Sequence, residues 1–275
     1  MTAVTPVGRE GSDGVAAPPT IPEGAALLAA LEAGEVRAAR PDPAAAGGWR
    51  VDPEVKAAIL RCFADRATVG ATAGPMRFRD RAGLPLHRLD DPDVRIVPGG
   101  TSVRAGAHLA PGVVVMPPAF VNIGAWVGRD TMIDSHVLVG SCAQVGARVH
   151  LAAGVVIGGV LEPPGARPVI VEDDAFVGAG ALLLEGVRVG AGAVIGAGVT
   201  LTGSSRLYDL VEGRTLAGSR EAPLEVPPGA VVVPGTRTLP GPFAAEHGLG
   251  MTVALIVKRR DPGTGARVAL EEALR

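Results

Sequence analysis

Residues 109–139 read LAPGVVVMPPAFVNIGAWVGRDTMIDSHVLV, and every sixth position, Leu109, Val115, Val121, Val127, Ile133 and Val139, is aliphatic. The register extends to Val97 and Val103 on one side and to Val145, Leu151 and Ile157 on the other. It resumes at Val171, Val177, Leu183, Val189, Ile195, Leu201 and Leu207. A helix of about 3.6 residues per turn would scatter these positions over all its faces, and a plain strand repeats every two residues. A period of six that returns one residue to the inside predicts a parallel β-solenoid of short strands and turns, three hexapeptides to a coil of about 18 residues. The residue four further on is small or β-branched (Ala107, Val113, Ala119, Ala125, Thr131, Val137, Ala143), as a narrow interior requires. Each fully buried Val or Leu would contribute about 1.5–3 kcal/mol. Thirty-nine glycines and 3% aromatic residues suit thin coils, whose corners often need positive φ. The period leaves the hand of the coil open.

The register breaks between Ile157 and Val171, fourteen residues apart and read here as two repeats plus two. The surplus falls in 161–168, which predicts a loop extruded from the coil, a common place for function. A second excursion spans 208–225, and the pattern returns at Val226 and Val232.

Four segments follow. Residues 1–20 are Gly-, Pro- and Ala-rich without periodicity and are expected to be mobile. Residues 21–94 form an α-rich, substrate-side segment. Pro22-Glu23 opens a helix through Leu27, Leu28 and Leu31, and Pro53-Glu54 opens another through Val55, Ile59, Leu60 and Phe63. Residues 39–48 between them read as linker, with Trp49 expected against the second helix, and 67–94 read as irregular with short strands. This segment is expected to cap an open end of the coil. The coil occupies 95–237. The tail, 238–275, carries a strand over 253–257 and a short helix over 267–275.

A net charge of −2 leaves no broad cationic face for nucleic acid. The two cysteines, Cys62 and Cys142, make neither a zinc spacing nor a disulfide framework, and Cys142 is expected to be a small core residue. No apolar run approaches the roughly 20 residues of a membrane span, and no secretory leader is visible, so the chain reads as cytoplasmic. Val114, Met116, Val156 and Leu182 are apolar at positions that do not point inward, which predicts faces buried in a closed homo-oligomer.

Several strings are more specific than the repeat. They are Val121-Asn122-Ile123-Gly124-Ala125, Thr131-Met132-Ile133-Asp134, Val139-Gly140-Ser141-Cys142-Ala143-Gln144-Val145-Gly146, Val149-His150-Leu151 and Ile157-Gly158-Gly159-Val160-Leu161-Glu162-Pro163. With Ser205-Arg206-Leu207-Tyr208-Asp209 and Val257-Lys258, they resemble the tetrahydrodipicolinate N-succinyltransferases of bacterial lysine and diaminopimelate synthesis. The resemblance implies a left-handed parallel β-helix, a homotrimer with sites between subunits, succinyl-CoA as cosubstrate, no permanently bound cofactor and no metal. It carries Arg95 over as the cation for acceptor carboxylate, and Asp134 as a catalytic and substrate-binding group beside the reacting amine. By position it places Gly180, Gly198 and Ser205 along the CoA arm; the stacked glycines would let a pantetheine approach backbone N–H groups.

The chain also departs from the family. Residues 178–186 read Gly-Ala-Gly-Ala-Leu-Leu-Leu-Glu-Gly, so Gly180 stands where the family has arginine and Leu182 where it has its catalytic acid. Glu185 matches the family's second glutamate and does not replace the first. His136 stands at the family tryptophan and is a candidate base, since imidazole titrates near neutrality. The segment resembles hexapeptide N-acetyltransferases, so acetyl-CoA and a related amine acceptor are the alternative, and a noncatalytic solenoid is the second. A zinc carbonic anhydrase of this architecture would need three histidines at coil spacing, which the five histidines do not provide.

Overall fold

A computed structural model describes residues 21–261 and 265. The segment 1–20 and the helix expected over 267–275 lie outside the described residues. The chain is mainly β. From Arg95 it lays down two-residue strands that visit three parallel sheets in turn: Arg95–Ile96 opens the first sheet, Ser102–Val103 the second and His108–Leu109 the third. Each strand pairs in parallel with the one a full circuit later, Trp126 with Gln144 and Met132 with His150. The sixth-position side chains meet inside one core, where Val115, Val127, Ile133, Leu151, Leu183 and Ile195 are fully buried. The small set packs between them, with Ala107, Val113 and Ala143 also at 0% exposure. Backbone ladders run along the sheets, so the short strands satisfy their amides despite their length.

Two register readings change. Ile96, not Val97, pairs with Val115 and packs on the core; the step to Val103 is seven residues, and the turn through Gly99 and Gly100 takes up the extra one. The strands Val156–Ile157 and Ile170–Val171 are consecutive. The fourteen residues from Ile157 to Val171 are therefore one repeat plus eight, and the whole 161–168 segment is outside the strands. After Leu201 the register holds at Leu207, and Val226 and Val232 return to pair with Val189 and Ile195. The excursion contains an antiparallel hairpin, Arg206–Asp209 with Arg214–Ala217. Two long strands, Ala230–Thr238 and Gly250–Arg259, extend the first sheet; the second contains the strand expected over 253–257.

Helices α1 (Gly24–Glu32) and α2 (Pro53–Arg61) form as their Pro-Glu openings predict, and Asp52 Oδ1 accepts the Val55 N–H at 3.2 Å to cap α2. They bury Leu27, Leu28, Leu31, Val55 and Ile59 against Ala105, Ile123 and Cys142, which lie in the turns after the second-sheet strands of three successive circuits. The helices thus lie along a corner rather than over the open end. Gly124 makes this seat possible: a Cβ there would stand 2.8 Å from Ile59 Cδ1. Buried Lys56 on α2 donates to Ala166 O at 2.7 Å and to Pro163 O at 3.4 Å, tying down the extruded loop. The region expected to be linker contains Ala39–Pro41, paired antiparallel with Trp49–Val51. This hairpin lies over the third sheet, and Trp49 turns away from α2 to donate its indole N–H to Glu172 Oε1 at 2.8 Å. A second hairpin, Thr68–Ala73 with Met76–Arg81, stands largely exposed. Among the described residues no helix is long and apolar enough to cross a membrane.

Candidate active site

The turn from the first to the second sheet recurs at one edge. It places His136, Gly154, Gly180 and Gly198 in a single column, where each backbone N–H donates to the circuit before it. His136 donates to Pro118 O at 2.6 Å, and the three glycines donate to Ser135 O, Ala153 O and Ala179 O at 2.9 Å each. All four have positive φ, from 63° at His136 to 73° at Gly154. Glycine takes that conformation without cost, and apart from chain neighbours no atom of the described residues lies within 4 Å of the Cβ position of Gly180 or Gly198. The upper part of the edge is therefore an open backbone groove.

Asp134 sits at the mouth of the same turn, half-buried, its Oδ1 accepting the Ser135 N–H at 2.7 Å. That bond fixes the carboxylate at the edge and leaves Oδ2 without a partner within the described residues. His136 is exposed two residues later. Asp134 and His136 thus share one turn, with Gly180 and Gly198 two and three circuits further along the same edge. Arg95 is exposed on the first strand of the first sheet, two strands from Met132–Ile133, about 10 Å by strand spacing. Ser205 lies apart, its Oγ accepting the Thr202 N–H at 2.9 Å in a 330 Å³ hollow with Arg206, Tyr208 and Arg237.

Leu182 points outward from the second sheet beside this edge, paired with Val156 and Thr200. With Phe120, Leu138 and Val156 it makes an apolar stripe whose members are half-buried or exposed. No carboxylate or guanidinium lies in that stripe. Cys142 is fully buried, and burial pushes its thiol up to about 12, so it stays protonated and unreactive, as a core residue should. His150 is half-buried, its ring 5.2 Å from Phe176. Among the described residues no group of three or more His, Cys, Asp or Glu could hold a metal ion.

A cavity of about 1180 Å³ lies elsewhere, between the Ala39–Val51 hairpin and the third sheet. Arg37 lies inside it, its guanidinium carbon 3.9 Å from the Trp126 ring centroid and 5.5 Å from that of Trp49. Burial brings this guanidinium down to about 10, against the opposing pull of Asp173. Sequence reasoning missed this group. No local pattern in the sequence brings its two tryptophans to one face, where the structure places both.

A family model described as the hexapeptide repeat of succinyl-transferase matches residues 168–203. The 2,3,4,5-tetrahydropyridine-2,6-dicarboxylate N-succinyltransferase of Methylobacterium sp. (strain 4-46) is 40% identical over 259 residues, covering 91% of this chain and 88% of that one. Its counterpart from Rhodopseudomonas palustris (strain BisA53) is 43% identical over 254 residues, covering 89% and 86%. Among solved structures, the acetyltransferase domain of PglB from Neisseria gonorrhoeae FA1090 is 17% identical with a TM-score of 0.34, covering 51% of this chain and 54% of that one; a likeness of that size carries no further argument. Identity at this level over nine-tenths of its length makes the chain a member of the 2,3,4,5-tetrahydropyridine-2,6-dicarboxylate N-succinyltransferase family.

Proposed function

We propose that this chain is a CoA-dependent N-acyltransferase that acylates the amine of ring-opened tetrahydrodipicolinate, with succinyl-CoA as donor. It would work in the cytoplasm as a homotrimer of left-handed β-helices. The observation that carries the reading is the match to N-succinyltransferases along nearly the whole of both chains. The open edge supports it: a flexible thioester arm needs a groove of exposed backbone, and Gly180 and Gly198 provide one. The uncovered apolar stripe through Leu138, Val156 and Leu182 supports a subunit contact at the second sheet.

The chemistry divides among few groups. The acceptor amine attacks the thioester carbonyl carbon, the C–N bond forms, the C–S bond breaks, and CoA leaves as a thiol. One proton must leave nitrogen and one must reach sulfur. Asp134 orients the amine through its unpartnered oxygen. His136, exposed beside it, takes the amine proton and returns it to the departing sulfur. Arg95 holds acceptor carboxylate by its planar fork. Leu182 can neither accept a proton nor form an acyl link, which is why the role of base falls to His136.

One observation favours a second donor. No cation stands at Gly180 or along the Leu182 stripe to meet a terminal carboxylate, so acetyl-CoA, a neutral acyl donor, is the alternative. Thiol release from acetyl-CoA and succinyl-CoA, each with enzymatically generated tetrahydrodipicolinate, decides between them. Faster turnover with succinyl-CoA supports the first reading and turnover with acetyl-CoA alone the second. Silence with both would sink the enzyme reading for this acceptor.

A further inference from the structure

The cavity over the third sheet uses none of the residues placed at the candidate active site. Its wall is organised around one guanidinium. Arg37 Nε donates to Gln144 Oε1 at 2.6 Å; Gln144 is fully buried and its own amide donates to Cys142 O at 2.8 Å. Trp126 stacks on the guanidinium plane, Trp49 lies on a second side, and the His108 ring backs Trp126 at 4.0 Å. Arg37 is therefore held by its inner nitrogen and by its faces. Its two outer nitrogens make no hydrogen bond to the described residues and open into the cavity. An aromatic-stacked arginine with its fork free is preorganised for a carboxylate.

A second wall is the turn from the third to the first sheet, where Asp93 and Asp130 line the cavity with Pro111 and Gly112. The Gly112 N–H donates to Asp93 O at 3.0 Å and the Asp130 N–H to Pro111 O at 3.2 Å. Neither carboxylate has a hydrogen bond or ion pair within the described residues. The other charges nearby are paired: Arg188 with Glu172 and Glu225, and Arg148 with Asp174 and with Asp173, which also lines the cavity and pulls on Arg37. Arg129, exposed beside Asp130, is the remaining cation on the rim. The open groups are thus the Arg37 fork on one wall, the Asp93 and Asp130 carboxylates with Arg129 beside them on the other, and the indole surface of Trp49 and Trp126.

We infer that this cleft binds a free α-amino acid, its carboxylate on Arg37, its ammonium between Asp93 and Asp130, and its side chain along Trp49 and Trp126. A simple anion would meet repulsion from the two aspartates, and a simple amine would be repelled by Arg37. Only a molecule with both charges matches both walls.

Both tryptophans of the chain line the cleft, so intrinsic tryptophan fluorescence reports occupancy without any acyl-transfer assay. The full-length protein is titrated with the common L-α-amino acids and L-norleucine through the millimolar range. Hexanoate, pentylamine and inorganic phosphate serve as half-ligand controls. The expected result is a saturable change with at least one amino acid, at least about tenfold weaker with each control. It is lost in Arg37→Gln, weakened about tenfold in Asp130→Asn and unchanged in Asp134→Ala. Asp130 has a φ of 57°, where asparagine is well tolerated, so that variant keeps its turn. No saturable change with any amino acid overturns the proposal. So does an equal response to phosphate or hexanoate, which would make the cleft a plain anion site, or a response that Arg37→Gln and Asp130→Asn leave intact.

Discussion

Two lengthwise surfaces of the same coil have opposite character. On the edge through His136, Gly154, Gly180 and Gly198 the repeat presents bare backbone, with nothing over the last two positions. On the third sheet the outward column is His108, Trp126, Gln144, Ile170, Arg188 and Glu225, and the chain's own N-terminal segment lies over it. There Trp49 and Arg188 both donate to Glu172, while Arg188 and Arg167 share Glu225. The ladder beneath is the same in both places. The repeat leaves its outward positions to vary, because inward ones are committed to the core; one surface shows bare backbone and the other carries paired side chains around a cleft.

Gly180→Val should separate the two surfaces most sharply. A β-branched residue at a φ of 68° is strained, and its side chain enters the groove. The expected outcome is a loss of about a hundredfold in kcat/KM for acyl-CoA in steady-state thiol release, with the tryptophan signal of the third sheet unchanged. Arg188→Ala should do the reverse. It leaves Glu172 and Glu225 facing each other, so denaturant melts should show a loss of about 2–3 kcal/mol while KM for acyl-CoA is kept. Trp49→Phe removes one indole hydrogen bond to Glu172 and should cost about 1 kcal/mol by the same melts.

Acid should also weaken the third-sheet surface, through Glu225. Burial works against ionising Glu225, but hydrogen bonds from Arg188 and Arg167 prevail and hold its carboxyl below the usual range. A depressed folded pKa means that this contribution is fully present above the unfolded value, about 4.3, and is lost as pH falls through the folded one. Thermal melts from pH 7 downward should therefore show little change from this group until below about pH 4, and Glu225→Gln should flatten that acid limb.

Much of this was legible in the sequence because the period is short and the core positions admit no polar residue. Ile133, Leu183 and Ile195 were read inward and are fully buried. Val97 misled because Ile96 beside it is equally aliphatic, and a seven-residue step is invisible when both neighbours fit. The loop over 161–168 was placed correctly, but the step across it was taken as two repeats plus two when it is one repeat plus eight, because fourteen residues also accommodate a further hexapeptide. The open edge could be read in part because Gly180 and Gly198 sit 18 residues apart, whereas the place of His136 in the same column depends on the length of the loop. The Arg37–Trp126 stack could not: its partners are far apart in sequence, and nothing local in 39–51 says which sheet a short hairpin will lie on. Trp49 shows the same limit, since its partner Glu172 is 123 residues away.

The central claim is that acyl transfer takes place at the open edge beside Asp134. The most direct test is thiol release from succinyl-CoA and acetyl-CoA with tetrahydrodipicolinate, wild type against Asp134→Ala, with circular dichroism confirming the fold of both. The account predicts turnover in the wild type and a fall of about 10²–10⁴ in the variant. Turnover that survives in Asp134→Ala would place the chemistry elsewhere and contradict it.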